Sequence, residues 1–224
     1  MGEESQMPLA MTLEFGNQSG PGKKLILTII NLQFIIMIIE NFPADFLLGK
    51  YELKGVKAYG NKFMLTKPER LLSLIKRVSH ELNISEEDLD FSENSLNRIT
   101  EWLKKHVSKR KLTKAEYELK KKDIPDYIEV NDWDFDQNTI SNIIDVGTYL
   151  GEVMIQNHKN KNLKWTQFLE SRKYVDFGHM VIKLGKLEMN PVDLVYVFCL
   201  KAVDGRDKED GLLGLYKIWE DDIS

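Results

Sequence analysis

Apolar positions along the chain change their spacing several times, and each change marks an element. The clearest is a three-and-four spacing from Ile140 through Ile143, Ile144, Gly147, Leu150, Gly151 and Met154, which predicts an amphipathic helix with one buried face. Gly147 and Gly151 share that face. Each costs a helix about 1 kcal/mol relative to alanine, so the pair predicts close approach by neighbouring elements. Asp136 or Asn138 is placed to cap the helix, and Asn157-His158-Lys159-Asn160-Lys161-Asn162 has the composition of its end. Leu163, Trp165 and Phe168 then predict an extended segment.

Around this stretch, Leu71, Leu72, Ile75, Val78 and Leu82 predict a helix opened by a Thr66-Lys67-Pro68-Glu69 capping box. Upstream, apolar Tyr51, Leu53, Val56, Tyr59 and Phe63, interrupted by Gly49, Gly55 and Gly60, predict short strands and turns over 46–64. Ser85 is a cap for a short turn over Glu86, Glu87 and Asp88. Ser92 is the expected cap of a helix burying Leu96, Ile99 and Leu103. Thr113 and Glu116 repeat the capping-box spacing before Pro125. Alternation over 174–187 predicts one or two strands, and Asn190-Pro191 opens a buried helix that ends before Gly205. Leu212, Leu215, Tyr216 and Trp219 line a last helix. The fold class expected is α+β, mainly antiparallel strands packed with five or six helices. Its parts are a flexible leader over 1–22, strands and helices over 23–125, and a C-terminal α+β part over 126–224 that shares one core with the part before it.

The most apolar run, Leu25 to Ile39, contains seven isoleucines. Its fifteen residues, interrupted by Thr28, Asn31 and Gln33, fall short of the roughly 20 that a membrane-crossing helix needs. It reads as core, either two strands turning near 31–33 or a buried helix, with peripheral membrane attachment as the alternative. The long preceding stretch with Glu3, Glu4 and Glu14 does not resemble a signal peptide.

Composition is that of a soluble globular protein: 224 residues, 42% hydrophobic and 29% charged, with a net charge of -4. That charge argues against a dedicated nucleic-acid binder. Cys199 is the only cysteine, so neither an intramolecular disulfide nor a cysteine-based zinc cluster forms, and a reducing, cytoplasmic location fits. One interval departs from the average. Lys104, Lys105, Lys109, Arg110, Lys111, Lys114, Lys120, Lys121 and Lys122 face only Glu116 and Glu118, which makes 104–122 +7 and leaves -11 on the remainder. Such a run is either a solvated face or a docking surface for an acidic partner, a membrane or nucleic acid. Tyr117 is its single aromatic, thin support for base stacking.

Asp132, Asp134 and Asp136 alternate as calcium ligands do. An EF-hand loop begun at Asp132 would need glycine at Gln137 and a bidentate carboxylate at Ile143, so the reading is a linker or an edge strand burying Trp133 and Phe135. No metal and no cofactor are expected. His80, His106, His158 and His179 are scattered, without an HExxH pair or a nucleophile motif. If a polar cleft exists, its candidates are Tyr149, Glu152, Trp165 and His179, brought together by the Gly-Glu turn of the central helix and the strand after it.

LDFSENSLNRITEWL (Leu89 to Leu103), VGTYLGEVMIQN with the later Trp165, and the NPVDLV helix start together resemble a family of uncharacterised bacterial α+β domains. In that family a Ser-x-x-Ser-Leu helix precedes a Tyr-Leu-Gly-Glu helix, a tryptophan strand and an Asn-Pro helix. The resemblance spans Thr66 to Val203, departs at the basic interval, and implies bacterial origin and fold but no activity. The functional expectation is a non-catalytic protein-interaction module, immunity-like or adaptor. The alternatives are a small-ligand or hydrolytic cleft near Glu152 and membrane attachment through 25–39. The expected partner is another protein, with no specific nucleic acid.

Overall fold

Asp136 opens the helix on which the other elements pack, accepting the Thr139 N–H at 2.7 Å on Oδ1. In chain order the elements are α1 (Leu53–Leu82), α2 (Ser95–Lys105), β1 (Lys109–Lys111), α3 (Lys114–Lys121), β2 (Trp133–Phe135), α4 (Gln137–Asn157), β3 (Lys164–Gln167), β4 (Met180–Leu184), β5 (Leu187–Met189), α5 (Pro191–Val203) and α6 (Gly211–Ile223). The computed structural model describes Leu48 and residues 51–223 apart from 123, 126, 186, 208 and 209. These residues belong to one unit spanning 42–224. The leader over 1–22 and the apolar run over 25–39 lie outside the described residues.

The fold is α+β, with helices predominating among the described residues and both small sheets antiparallel. β1 pairs with β2, and β3, β4 and β5 form a meander in that order. Helix α4 is buried along almost its whole length and packs most extensively on α5, with α1, α2 and α6 also against it. Leu74 and Val78 of α1, Trp102 of α2, Ile143 and Val153 of α4, Val195 of α5 and Tyr216 of α6 belong to one continuous apolar core.

Both α4 glycines sit where a neighbour leaves no room for a side chain. A Cβ on Gly147 would lie 2.6 Å from the Val192 Cα of α5, and one on Gly151 would lie 2.6 Å from Trp165 Cη2 and closer still to Cζ2. The close approach expected from the sequence is therefore real, and it sets the spacing of α5 and β3 from α4.

The largest correction concerns 46–64. Its described part from Leu53 onward is not strand but the first three turns of α1, which continues through Pro68 to Leu82. Val56, Gly60 and Phe63 are buried at three-and-four spacing in line with Leu71, Leu74 and Val78. The glycines misled the reading: Gly60 marks the place where the Gln167 side chain crosses α1, a Cβ there falling 2.6 Å from Gln167 Cδ. Thr66 is accordingly no cap. It lies inside the helix and its hydroxyl donates to the Lys62 carbonyl at 3.0 Å.

Smaller shifts follow the same logic. Helix α2 begins at Ser95, and Ser92 still accepts the Ser95 N–H at 3.3 Å one turn earlier. The extended structure predicted over 174–187 is confined to β4 and the start of β5, while 172–178 is a succession of turns. The Ser85 cap, the Thr113 capping box and the start of α5 at Asn190-Pro191 form as predicted, and Asp88 adds a reciprocal bond that completes a box at Ser85.

Candidate functional site

Helices α1 and α4 are joined along one side by a polar seam. Asp145, almost fully buried, accepts from Arg70 Nε at 2.6 Å and from Arg77 Nη2 at 2.7 Å. Arg77 Nη1 also donates to Asn142 Oδ1 at 3.2 Å. Further along, Glu152 Oε1 receives the Lys67 ammonium and, at 2.8 Å, the Trp165 Nε1–H. Cations of α1 thus face carboxylates of α4 over several turns, the arrangement in which partial burial strengthens each pair. The seam continues outward. The Arg77 guanidinium stands 5.5 Å over Trp102, whose Nε1–H donates to Glu81 Oε2 at 3.0 Å. His106 stacks on Trp102 and places Nε2 2.7 Å from the same carboxylate oxygen.

The four predicted cleft residues separate into three groups. Glu152 and Trp165 are bonded to each other. Tyr149 is fully buried and turns toward the start of α2, where its hydroxyl donates to Ser95 Oγ at 2.8 Å and accepts the Phe91 N–H at 3.2 Å. Its ring stacks on Phe91 at 4.7 Å, holding that residue at φ +61°, and burial pushes the phenol upward from its ordinary value. His179 lies buried immediately before β4, beside Asp176 and Asp193 at the start of α5. There Asn190 Nδ2 donates to Asp176 Oδ1 at 2.7 Å. Burial and the Asp176 charge raise the Asp193 carboxyl, and His179 acts against them.

The seam residues Arg70, Arg77, Asn142 and Asp145 were not among the sequence candidates. Their signal was present. Asn142 and Asp145 fall among the apolar positions of α4, where a polar side chain needs a buried partner, and Arg70 and Arg77 stand one heptad apart on α1.

The basic interval divides between pairing and exposure. Arg110 holds Glu116 with two bonds at 2.9 and 3.2 Å, Lys120 reaches Asp134 at 2.7 Å, Lys105 reaches Glu101 at 2.9 Å, and Lys104 pairs with Asp207. The basic strand β1 lies against the acidic strand β2, with Arg110 opposite Asp134. Lys109 rests 5.0 Å over the Trp133 ring, and the Lys111 side chain is 84% exposed. Lys114 and Lys122 are exposed, and Lys121 is half-buried with a partner.

Recesses lie elsewhere among the described residues. A groove of about 470 Å³ runs between α5 and α6 over Val197, Phe198, Leu213, Leu215 and Ile218, and an open polar depression borders Asp90, Ser92 and Asn94. Among the described residues no three His, Cys, Asp or Glu side chains are grouped to hold a metal ion, and no helix is long and apolar enough to cross a membrane. Comparison with protein-family models, with curated proteins and with solved structures found no match to this chain.

Proposed function

We propose that this chain is a bacterial cytoplasmic protein that works by binding another protein, without catalysing a reaction, as an immunity-like or adaptor module. The observation that carries the reading is the arm formed by β1, α3 and the turn after it. This stretch of chain carries exposed Lys109, Arg110, Lys111, Lys114 and Lys122 together with Leu119 and Tyr127, 72% and 88% exposed, an apolar and charged mixture outside the core. The commitment of Glu152 to Lys67 and Trp165 agrees with this, since it gives that carboxylate a structural task. The family resemblance of the α2, α4 and α5 blocks supplies the bacterial origin.

The test is capture from a nuclease-treated bacterial lysate with the full chain as bait, washed across a salt series, followed by reconstitution with the purified candidate. A defined stoichiometric complex by size-exclusion chromatography with light scattering supports the reading. Recovery of no reconstitutable partner overturns it. A second reading rests on the groove between α5 and α6, whose size falls among small-ligand pockets. A thermal shift produced by apolar fragments and abolished by Val197→Glu would favour it.

A further inference from the structure

Strand β1 has two edges, and β2 occupies one of them. Leu112 N–H donates to Asp132 O at 2.8 Å and Asp136 N–H donates to Ser108 O at 3.2 Å. With Arg110 opposite Asp134, residues 108, 110 and 112 are therefore the ones that face β2. In an antiparallel ladder the intervening residues point the other way, so the N–H and C=O groups of Lys109 and Lys111 are directed away from β2. Among the described residues these four groups make no hydrogen bond. All three residues of the strand are exposed.

Lysines on an edge commonly guard it against unwanted strand addition. That guard acts on apolar and basic strands; for an acidic strand the same charges are an attraction. Among the described residues Lys111 pairs only with a distant carboxylate, Asp132 at 3.9 Å, and that residue is itself mostly exposed. The chain also displays the chemistry that β1 accepts. Its present neighbour is Asp132-Trp133-Asp134-Phe135-Asp136, carboxylates alternating with aromatic rings, with Trp133 opposite Lys111 and Phe135 opposite Lys109.

We propose that the outer edge of β1 takes an extended acidic segment of a partner protein, one that alternates carboxylates with aromatic or aliphatic side chains. This rests on the protein-binding reading above and names its surface and the chemistry of its partner. Main-chain bonds to Lys109 and Lys111 supply register, and the lysine ammonium groups select carboxylates. Extended polyanions are disfavoured. The chain outside 104–122 carries -11, a net charge that opposes a long polyanion more than a short strand. A single strand touches the arm alone.

The experiment uses the full chain and a fluorescein-labelled peptide with its own 130–137 sequence, VNDWDFDQ, followed by fluorescence anisotropy. Controls are the same peptide with every Asp replaced by Lys and a short single-stranded oligonucleotide. Saturable binding of the acidic peptide is expected, weakened by salt and reduced at least about tenfold by the double variant Lys109→Glu/Lys111→Glu. Lys111→Pro, which removes one outward N–H and none that faces β2, should weaken binding comparably. Circular dichroism checks the fold of each variant; if the proline variant loses structure, the glutamate pair decides. Lack of saturable binding, equal binding by the glutamate variant, or tighter binding of the oligonucleotide at this edge overturns the proposal. A lysate partner that binds the glutamate variant as well as the parent overturns it while leaving the protein-binding reading intact. The absence of any partner removes that reading instead.

Discussion

Gly151 lies directly beneath the ring of Trp165, close enough that a methyl group at that position would overlap the indole. The ring has little freedom to move: Phe63 packs against it at 5.1 Å and Glu152 holds its Nε1–H. Alanine at Gly151 gains about 1 kcal/mol of helix propensity and introduces overpacking of about 1–3 kcal/mol. A net loss is expected, larger for Gly147→Ala because there the obstacle is the Val192 backbone. Urea unfolding of both variants checks this, and a raised midpoint for either would contradict the packing argument.

Asp145 serves two arginines at once. Replacing it with asparagine removes the charge from a buried position and leaves Arg70 and Arg77, both partly solvated, with weaker acceptors. A loss of about 1–3 kcal/mol is expected. Arg70→Gln should lose less than Asp145→Asn, since Arg77 still neutralises the carboxylate. Equal losses in denaturant titration would show that the seam does not share its charge in this way.

The cap of α3 is acid-sensitive. The Arg110 hydrogen bonds, followed by those from Thr113, pull the Glu116 carboxyl down from an ordinary 4.5 to about 2. A depressed carboxylate contributes above the unfolded value of 4.5 and loses that contribution as pH falls toward 2. Protection of the Tyr117 N–H, which bonds to Thr113 O at 2.9 Å, should therefore decline across this window. In Glu116→Gln, hydrogen exchange at Tyr117 should be faster at neutral pH and lack that acid-dependent step.

Cys199 should be chemically silent in the folded chain. Burial pushes its thiol up to about 12 from 9.0, and the thiolate is the reactive form. A raised value means that the contribution to stability is complete below 9.0 and is lost as pH rises toward 12. Ellman's reagent should titrate the thiol fully in urea and scarcely at all in native buffer at neutral pH. Rapid native labelling would show that α5 opens from the core.

How much of this was legible in the chain depended on the range of the interaction involved. Asp136, Asn190, Thr113 and Ser85 act on backbone groups two or three residues away, so their caps, and α4 with its two tightly packed glycines, could be read directly. The first half of α1 could not, because glycine is a turn signal locally and Gly60 is selected by Gln167, more than a hundred residues later. The candidate cleft shows the same division. Glu152 and Trp165 meet because a short connection returns β3 to α4, whereas Tyr149 turns to α2 and His179 to the start of α5.

The sequence by itself determined the α+β class, the caps at Ser85, Thr113, Asp136 and Asn190 and the apolar faces of the helices it located, since these follow from propensity, capping and periodicity over a few residues. Tertiary structure alone decided which carboxylate meets which cation. Lys120 meets Asp134 only when folding brings β2 into place, and Asp145 becomes the centre of a seam only when α1 lies against α4. Those pairings depend on distances between segments far apart in the chain, which no local pattern encodes.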